Sequence, residues 1–327
     1  MPITISGGVQ LSGPVLLDPT GGSPSPSPSG GYQGSNFGYS AGGRISSNPT
    51  NTIQKYSFTA DQNATDVGDL TQSISMCMQG ISSSTNGYRT GGSPGNSDTI
   101  DKFAFSADND ATDVGNLTNG GRKILSGNGS STHGYAGGGG EGPTGTVGKY
   151  DKFSFASDGN STNNGDMLYA RGYTTGSTSS TSAFVAGGFN SSYATQLDIE
   201  TFTFASDTTI SDHGDIATSA ESAVGLNSAT HGYVAGGYNR TGATANDAIQ
   251  KYTFASITTS STVGDLLNNL NQSGGTSSTT SGYISGGAIN GGTPSDTIQK
   301  FPFASDGNAS DVADLLGVTD FNSNAQY

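Results

Sequence analysis

The chain has no tryptophan, one cysteine (Cys77) and three glutamates, and its 12 Lys and Arg are outnumbered by 26 Asp and Glu. One cysteine cannot form a disulfide within the chain. A net charge of −14 leaves no basic surface for a phosphate backbone, so nucleic-acid binding is disfavoured. Strong helix formers are scarce, whereas Thr, Ser, Asn, Asp and Gly dominate, which favours short strands joined by tight turns. An all-β fold follows.

Targeting and membrane-spanning segments are also lacking. The N-terminus has no positive region followed by a long apolar run, and no stretch approaches the length needed to span a bilayer. We therefore expect no signal peptide and no membrane insertion. A location outside a cell would require lysis or a specialised exporter.

What the chain does have is an internal repeat based on Gly-Tyr-x-x-Gly-Gly. The first Gly of the terminal pair falls at 42, 91, 138, 187, 236 and 286, in steps of 49, 47, 49, 49 and 50 residues. A Lys-aromatic-x-Phe motif follows each copy, except that the fourth unit has Thr201 in place of Lys. A third landmark resembling Val-Gly-Asp-Leu completes each unit. Three landmarks in one order indicate six structural repeats.

Each repeat contains four candidate strands, which in the fifth copy are residues 221–225, 232–235, 249–254 and 262–266. Units of about 50 residues with a Gly-Gly pair after the second strand resemble kelch repeats, which form the blades of β-propellers. Phrases such as Phe-Ala-Ser-Asp-Gly-Asn are similar to those of kelch-like repeats in structural proteins of marine tailed phages. The resemblance covers residues 38–316 and implies a six-bladed propeller.

The ends of the chain must complete such a ring. The tail, residues 317–327, stands where a first strand is missing, so we expect it to pair with the N-terminal strands, with residues 32–37 as the alternative donor. We assign residues 32–327 to the propeller.

The first 31 residues are different in composition. Residues 1–20 carry an alternating apolar pattern at Ile5, Val9, Leu11 and Val15, and residues 21–31 form a Gly/Ser/Pro linker. Twenty residues cannot bury a core alone, so we interpret them as an attachment arm that becomes ordered on a partner, the alternative being a disordered leader.

Lys and Asp recur together in the third and fourth strands. Four pairs are each separated by fourteen residues, namely Lys55 and Asp69, Lys152 and Asp166, Lys251 and Asp265, and Lys300 and Asp314. We predict that each pair lies directly opposite across a hairpin and stabilises it by about 0.2 to 1 kcal/mol.

Signals of catalysis or metal binding are weak. The Asp- and Asn-rich turns such as 61–66 and 306–311 lack the Gly and Glu of a calcium loop and fit ordinary hairpin turns. His133 and His231 precede Gly-Tyr in different repeats, and Cys77 lies in an apolar run expected to be a buried strand. We therefore expect no metal, no cofactor and no enzymatic activity.

The loops between the second and third strands vary most, and in a propeller they share one face. Those of the fourth and fifth units carry Phe189, Tyr193, Tyr238 and Arg240, side chains suited to stacking on sugar rings or docking a protein. The alternative is that they are solvated loop residues.

These observations predict a phage virion protein on the particle surface, an appendage or decoration. Its arm would bind other virion proteins, and its propeller would bind a host-surface glycan or protein. The alternatives are a purely structural capsid or tail decoration without a ligand, and a secreted glycan-active enzyme.

Overall fold

The structure, a computed structural model, describes residues 32–327 apart from 78, 141–144, 208, 219 and 241. Its regular elements in this part of the chain are all β-strands, and none of the described residues forms a helix long and apolar enough to cross a bilayer. The proposed arm, with Ile5, Val9, Leu11 and Val15, and the linker lie outside the described residues, so their roles stay predictions.

The strands are short and follow one another closely along the chain. The first half contains β1 (Phe37–Ala41), β2 (Arg44–Ile45), β3 (Asn48–Ser57), β4 (Thr65–Ile74), β5 (Ile81–Ser82), β6 (Asn86–Thr90), β7 (Thr99–Ala104), β8 (Thr112–Asn116), β9 (Ser126–Gly129), β10 (His133–Gly137), β11 (Lys149–Ser154), β12 (Thr162–Asp166), β13 (Arg171–Gly172), β14 (Thr175–Thr178), β15 (Ser182–Ala186) and β16 (Phe189–Asn190). The second half contains β17 (Asp198–Thr203), β18 (Ser211–Asp215), β19 (Val224–Asn227), β20 (His231–Ala235), β21 (Tyr238–Asn239), β22 (Thr244–Ala245), β23 (Ala248–Thr253), β24 (Ser261–Asp265), β25 (Leu270–Asn271), β26 (Gly274–Ser277), β27 (Ser281–Ser285), β28 (Ala288–Ile289), β29 (Thr293–Pro294), β30 (Thr297–Pro302), β31 (Ser310–Asp314), β32 (Thr319–Asp320) and β33 (Ser323–Gln326).

The longer strands form antiparallel sheets of four with one repeated order. In chain order these are sheet 2 (β5-β6-β7-β8), sheet 3 (β9-β10-β11-β12), sheet 4 (β14-β15-β17-β18), sheet 5 (β19-β20-β23-β24) and sheet 6 (β26-β27-β30-β31). Sheet 1 has the same order, β33-β1-β3-β4, but its first strand comes from the C-terminus, and β2 and β32 extend it. The tail therefore pairs with β1, matching Gly38 with Gln326 and Ala41 with Ser323.

The Gly-Gly signature marks the end of each second strand. Gly236 has φ +64, a conformation that side chains rarely adopt, and a Cβ built on it would lie 2.3 Å from the carbonyl oxygen of Leu270 in the segment leading to the next sheet. Glycine is thus required both by the backbone conformation and by the close approach of the neighbouring chain segment.

Aromatic side chains from two of the landmarks meet between neighbouring sheets. Tyr233 of sheet 5 lies with its ring centroid 5.4 Å from that of Phe301 and 4.9 Å from that of Phe303, both of sheet 6. The same contact joins Tyr283 of sheet 6 to Phe58 of sheet 1, at 4.6 Å. These clusters are buried and form the core between sheets, so the chain fills this space without tryptophan.

The sheets have two ends, which define two faces of the molecule. We call upper the face with the loops between second and third strands and the segments that lead from one sheet to the next. The lower face carries the turns between first and second and between third and fourth strands. First strands contact one another in the order β33, β5, β9, β14, β19, β26 and again β33. We call the line along which these strands meet the axis.

The upper end of this axis is bounded by backbone hydrogen bonds between equivalent residues. Each of these residues stands just before or at the entry to a first strand and has φ between +55 and +62: Met76, Ile124, Tyr173, Ser222, Gln272 and Phe321. Each N–H from Ile124 to Phe321 donates to the carbonyl of the preceding member, at 2.7 to 3.3 Å. A left-handed backbone conformation costs free energy in residues such as Ile and Phe, and these hydrogen bonds offset that cost.

Two sequence predictions were wrong in detail. The first strand of the fifth unit is Val224–Asn227, not 221–225. The Lys and Asp residues fourteen apart are not opposite each other, because the hairpin turn is shorter than a symmetric turn centred between them would be. Lys251 faces Ser261, and Asp265 faces Ala248. Each of these Lys side chains instead forms an ion pair with an Asp in the neighbouring sheet, as for Lys251 and Asp306 at 3.0 Å.

Candidate functional site

Three aromatic rings stack on the upper face between sheets 4 and 5. The centroid of Phe189 lies 4.7 Å from that of Tyr173 and 5.4 Å from that of Tyr193, and the Arg240 guanidinium lies over Phe189 at 4.4 Å and over Tyr193 at 5.2 Å. Tyr193 is 65% exposed, whereas Phe189 is buried beneath it. The cluster is a stacked platform with one exposed ring.

Local turns position these rings. The Asn190 side chain accepts hydrogen bonds from the backbone N–H groups of Ser192 and Ala194, at 3.0 and 3.1 Å, which closes the loop that carries Tyr193. Tyr193 itself has φ +59. Tyr173 belongs to the hydrogen-bonded series at the axis, so the platform is fixed by backbone contacts on both sides.

Arg240 is held by a carboxylate. Its Nε and one terminal nitrogen each donate to Glu221 at 2.9 Å, in a bidentate pair. Burial raises the pKa of Glu221, an effect opposed by its hydrogen bond to Arg240. Arg240 was predicted as a ligand-binding residue, and the structure shows that its charge is balanced within the protein by Glu221.

The same construction occurs once more on this face. Arg44 forms a bidentate pair with Asp320, at 2.8 and 2.7 Å, and its guanidinium lies 4.5 Å from the Phe321 ring centroid. This pair connects β2 near the N-terminus to β32 near the C-terminus. An Arg–carboxylate pair that covers an aromatic ring therefore connects two strands at this second place, and it is not confined to the platform.

Two cavities open beside the platform. The larger, about 350 Å³, is lined by Tyr173, Phe189 and Tyr193 together with polar groups of Thr146, Asn190 and Ser191. The smaller, about 220 Å³, is lined by Glu221, Tyr238, Arg240, Asn271 and Gln272. Tyr173 borders both. We call them the aromatic cavity and the polar cavity.

The four predicted ligand-binding residues are thus brought together but divided in role. Phe189 and Tyr193 line the aromatic cavity, and Tyr238 and Arg240 line the polar one. Phe189 is 6% exposed and supports Tyr193 from beneath. Sequence analysis missed Tyr173, Glu221 and Asn271.

Lys123 also lines the aromatic cavity. It is the one Lys or Arg that forms no ion pair within the part of the chain that the structure describes.

The remaining chemistry-bearing residues are dispersed. His133 and His231 bond through Nδ1 to Thr132 and Thr230, both at 2.8 Å, in separate turns of the lower face. Cys77 is fully buried in the core next to the end of β4, not in a strand, and burial raises the pKa of its thiol to about 11. Over the described ranges no three His, Cys, Asp or Glu side chains cluster in a way that could hold a metal ion.

The first described residues lie at the opposite, lower end of the axis. Gln33 is buried, and its Nε2 donates to the carbonyls of Asn227 and Ser278, at 3.1 and 3.0 Å. Gln326 donates to the carbonyl of Tyr32 at 2.6 Å. Whatever precedes Tyr32 is therefore joined to the molecule at the lower face, across from the platform.

The order and pairing of the strands, with first strands around an axis, are typical of β-propellers. No protein-family model and no curated protein sequence matches the chain. A solved structure titled "Structure of YjhT" is similar, with a TM-score of 0.64 at 12% identity over 76% of this chain and 87% of that one. The chain has a β-propeller-like fold. At this identity the likeness concerns the fold alone.

Proposed function

We propose that the chain is a six-bladed propeller closed by its C-terminal strand, and that it is a tailed-phage virion protein that displays this propeller to bind a host-surface glycan. The pairing of β33 with β1 and the series of first strands that returns to β33 support the closed ring. The kelch-like phrases of the repeat support the virion assignment.

The display role is carried by one observation, namely that the point of chain entry and the aromatic platform lie on opposite faces of the molecule. The chain enters at the lower end of the axis, where Gln33 is held, while the aromatic platform lies on the upper face. A module anchored through residues N-terminal to Tyr32 would present the platform away from its anchor. Attachment and recognition would then be separable.

The chemistry of the upper face suits a carbohydrate. An exposed Tyr193 ring stacked on Phe189 offers an apolar surface to one face of a sugar, and the surrounding amide and hydroxyl groups match sugar hydroxyls. The function proposed is binding without catalysis.

Glycan binding is tested with residues 32–327 on an array of defined glycans and in a host-cell adsorption assay. We expect Tyr193→Ala, and the combined change of Phe189, Tyr193, Tyr238 and Arg240 to Ala, to weaken binding at least tenfold. Tyr169→Ala is the matched control, because Tyr169 is 51% exposed but lines neither cavity. Wild-type protein that binds neither glycans nor cells would favour a purely structural decoration. Turnover of a polysaccharide would favour the enzyme instead.

Attachment is tested separately. Removal of residues 1–20 should abolish incorporation into particles while the melting temperature of the propeller stays unchanged. If the truncated protein loads onto particles at normal copy number, the propeller itself is the attachment surface.

A further inference from the structure

The polar cavity is lined by an amide group without a partner. Asn271 is 5% exposed and lines the cavity, and neither its Oδ1 nor its Nδ2 forms a hydrogen bond in the described structure. The Oδ1 is sealed off, whereas the Nδ2 is not, so the Nδ2 is the atom that a ligand can reach. An amide N–H donates readily to the hydroxyl oxygen of a ligand.

The two cavities are neighbours that share a wall. Tyr173 borders both, and Arg240 lines the polar cavity while covering Phe189 and Tyr193 of the aromatic one. A chain-like ligand whose ring stacks on Tyr193 can therefore continue past Arg240 into the polar cavity. A ligand confined to the platform would leave Asn271 unpaired.

The lining of the polar cavity also indicates what kind of group it takes. Its one cation, Arg240, is already neutralised by Glu221, and the other groups are the phenol of Tyr238, the amides of Asn271 and Gln272, and the hydroxyl of Ser222. Neutral donors and acceptors without an available charge match an uncharged, hydroxylated group rather than a phosphate or a carboxylate.

We infer that the polar cavity is a second sugar subsite, in which Asn271 Nδ2 donates a hydrogen bond to a hydroxyl, and that the ligand is an oligosaccharide of at least two units spanning both cavities. This inference rests on the proposed glycan binding and adds a subsite, a minimum ligand length and residues that the platform alone does not involve.

The test measures how affinity changes with ligand length. From the array, the mono-, di- and trisaccharides of the best-bound series are titrated calorimetrically against the full chain. We expect the dissociation constant of the wild type to fall about tenfold or more from one unit to two, the worth of a well-made hydrogen-bonded contact. In Asn271→Ala this gain should shrink to less than threefold.

A second variant tests the same subsite independently, in case Asn271→Ala does not fold. Tyr238 is half-buried at the edge of the same cavity, and Tyr238→Ala should reduce the length-dependent gain as well. The matched control is Ile257→Ser on the lower face, where the side chain is 70% exposed, and it should keep the full gain.

The outcomes separate the two proposals. If the wild type binds a monosaccharide and a disaccharide equally well, or if both cavity variants keep the full gain, the second subsite is wrong and glycan binding at the platform stands. If no saccharide binds the wild type, both are overturned.

Discussion

Lys300 in sheet 6 lies with its Nζ 3.6 Å from Oδ1 of Asp61 in sheet 1, joining the last repeat to the first. The same relation, from the third strand of one sheet to the following turn of the next, recurs four times. The other pairs are Lys55 and Asp108, Lys102 and Asp158, Lys152 and Asp207, and Lys251 and Asp306. In the described structure one junction lacks it, because Thr201 replaces the Lys of sheet 4 and Ile257 replaces the Asp of sheet 5.

The loss of both partners at one junction predicts that the pair can be rebuilt. We expect Thr201→Lys and Ile257→Asp together to stabilise the protein by about 0.2 to 1 kcal/mol more than the sum of the single changes, the range for exposed ion pairs. Urea unfolding of the four proteins measures this coupling. The Lys251 and Asp306 pair, changed to Ala singly and together, is the control. Coupling there without coupling at 201 and 257 would contradict the prediction.

These ion pairs show where sequence reasoning failed in the fold. In a repeat protein every pair of landmarks keeps a nearly constant separation, so the fourteen residues between Lys251 and Asp265 said nothing about contact. The alternative partner Asp306, one repeat further on, is equally periodic. Only the register of the hairpin, in which Lys251 faces Ser261, and the packing of the next sheet choose between them. The repeated four-strand units, by contrast, followed directly from the landmarks.

A second device lies inside the sheets, at equivalent third-strand positions. There the side chains of Gln54, Gln250 and Gln299 accept a backbone N–H from the segment of the preceding unit, at 2.7 to 2.9 Å. Glu200 accepts from Leu168 at 3.1 Å and also pairs with fully buried Arg171 at 2.8 Å.

We therefore predict that Arg171 stabilises the fold chiefly by neutralising the charge of the Glu200 carboxylate. Arg171→Met should cost about 3 to 5 kcal/mol, since it leaves Glu200 buried without its counter-charge. The combined change Arg171→Met and Glu200→Gln should recover most of this loss, because glutamine serves at three of the five equivalent positions. Denaturant unfolding measures both. A double variant no more stable than Arg171→Met would show that Arg171 is required for packing.

The same pair predicts a pH dependence. Burial raises the pKa of Glu200 above its ordinary 4.5, opposed by Arg171 and by the N–H groups of Leu168 and Tyr169. The folded state then binds more protons than the unfolded state between the two pKa values, so this group's contribution is fully present below about pH 4.5 and is lost as pH rises through the folded pKa. The wild type should therefore lose stability relative to the double variant as pH rises from 4.5 in chemical denaturation. A constant difference across pH would contradict this.

The candidate site was predictable in part. Phe189, Tyr193, Tyr238 and Arg240 stand in the loops that differ most between units, which is the signal that found them. Tyr173 lies in the segment between units, where its left-handed backbone interrupts the strand pattern. Glu221 and Asn271 were missed because only the packing of adjacent units brings them to the site. The signal that could have located the axis is a recurrence at steps of 48 to 50 residues, namely that of Met76, Ile124, Tyr173, Ser222, Gln272 and Phe321.

The C-terminal segment should be essential to stability. Deleting residues 318–327 removes β33 from sheet 1, the Asp320 partner of Arg44, and the buried side chains of Phe321 and Ala325. Loss of one buried Phe side chain alone costs about 3 to 5 kcal/mol, and the deletion also exposes the backbone edge of β1. We expect the melting temperature to fall by at least about 10 °C, since each kcal/mol corresponds to about 2 to 4 °C in domains of 150 to 250 residues.

Deletion of residues 1–20 is the control and should leave the melting temperature unchanged. A peptide of residues 318–327 added to the truncated protein should raise the melting temperature progressively, with the logarithm of the peptide concentration above its dissociation constant, because it binds only the folded state. An unchanged melt after C-terminal deletion would show that the first strands hold together without β33, and closure by the tail would then be wrong.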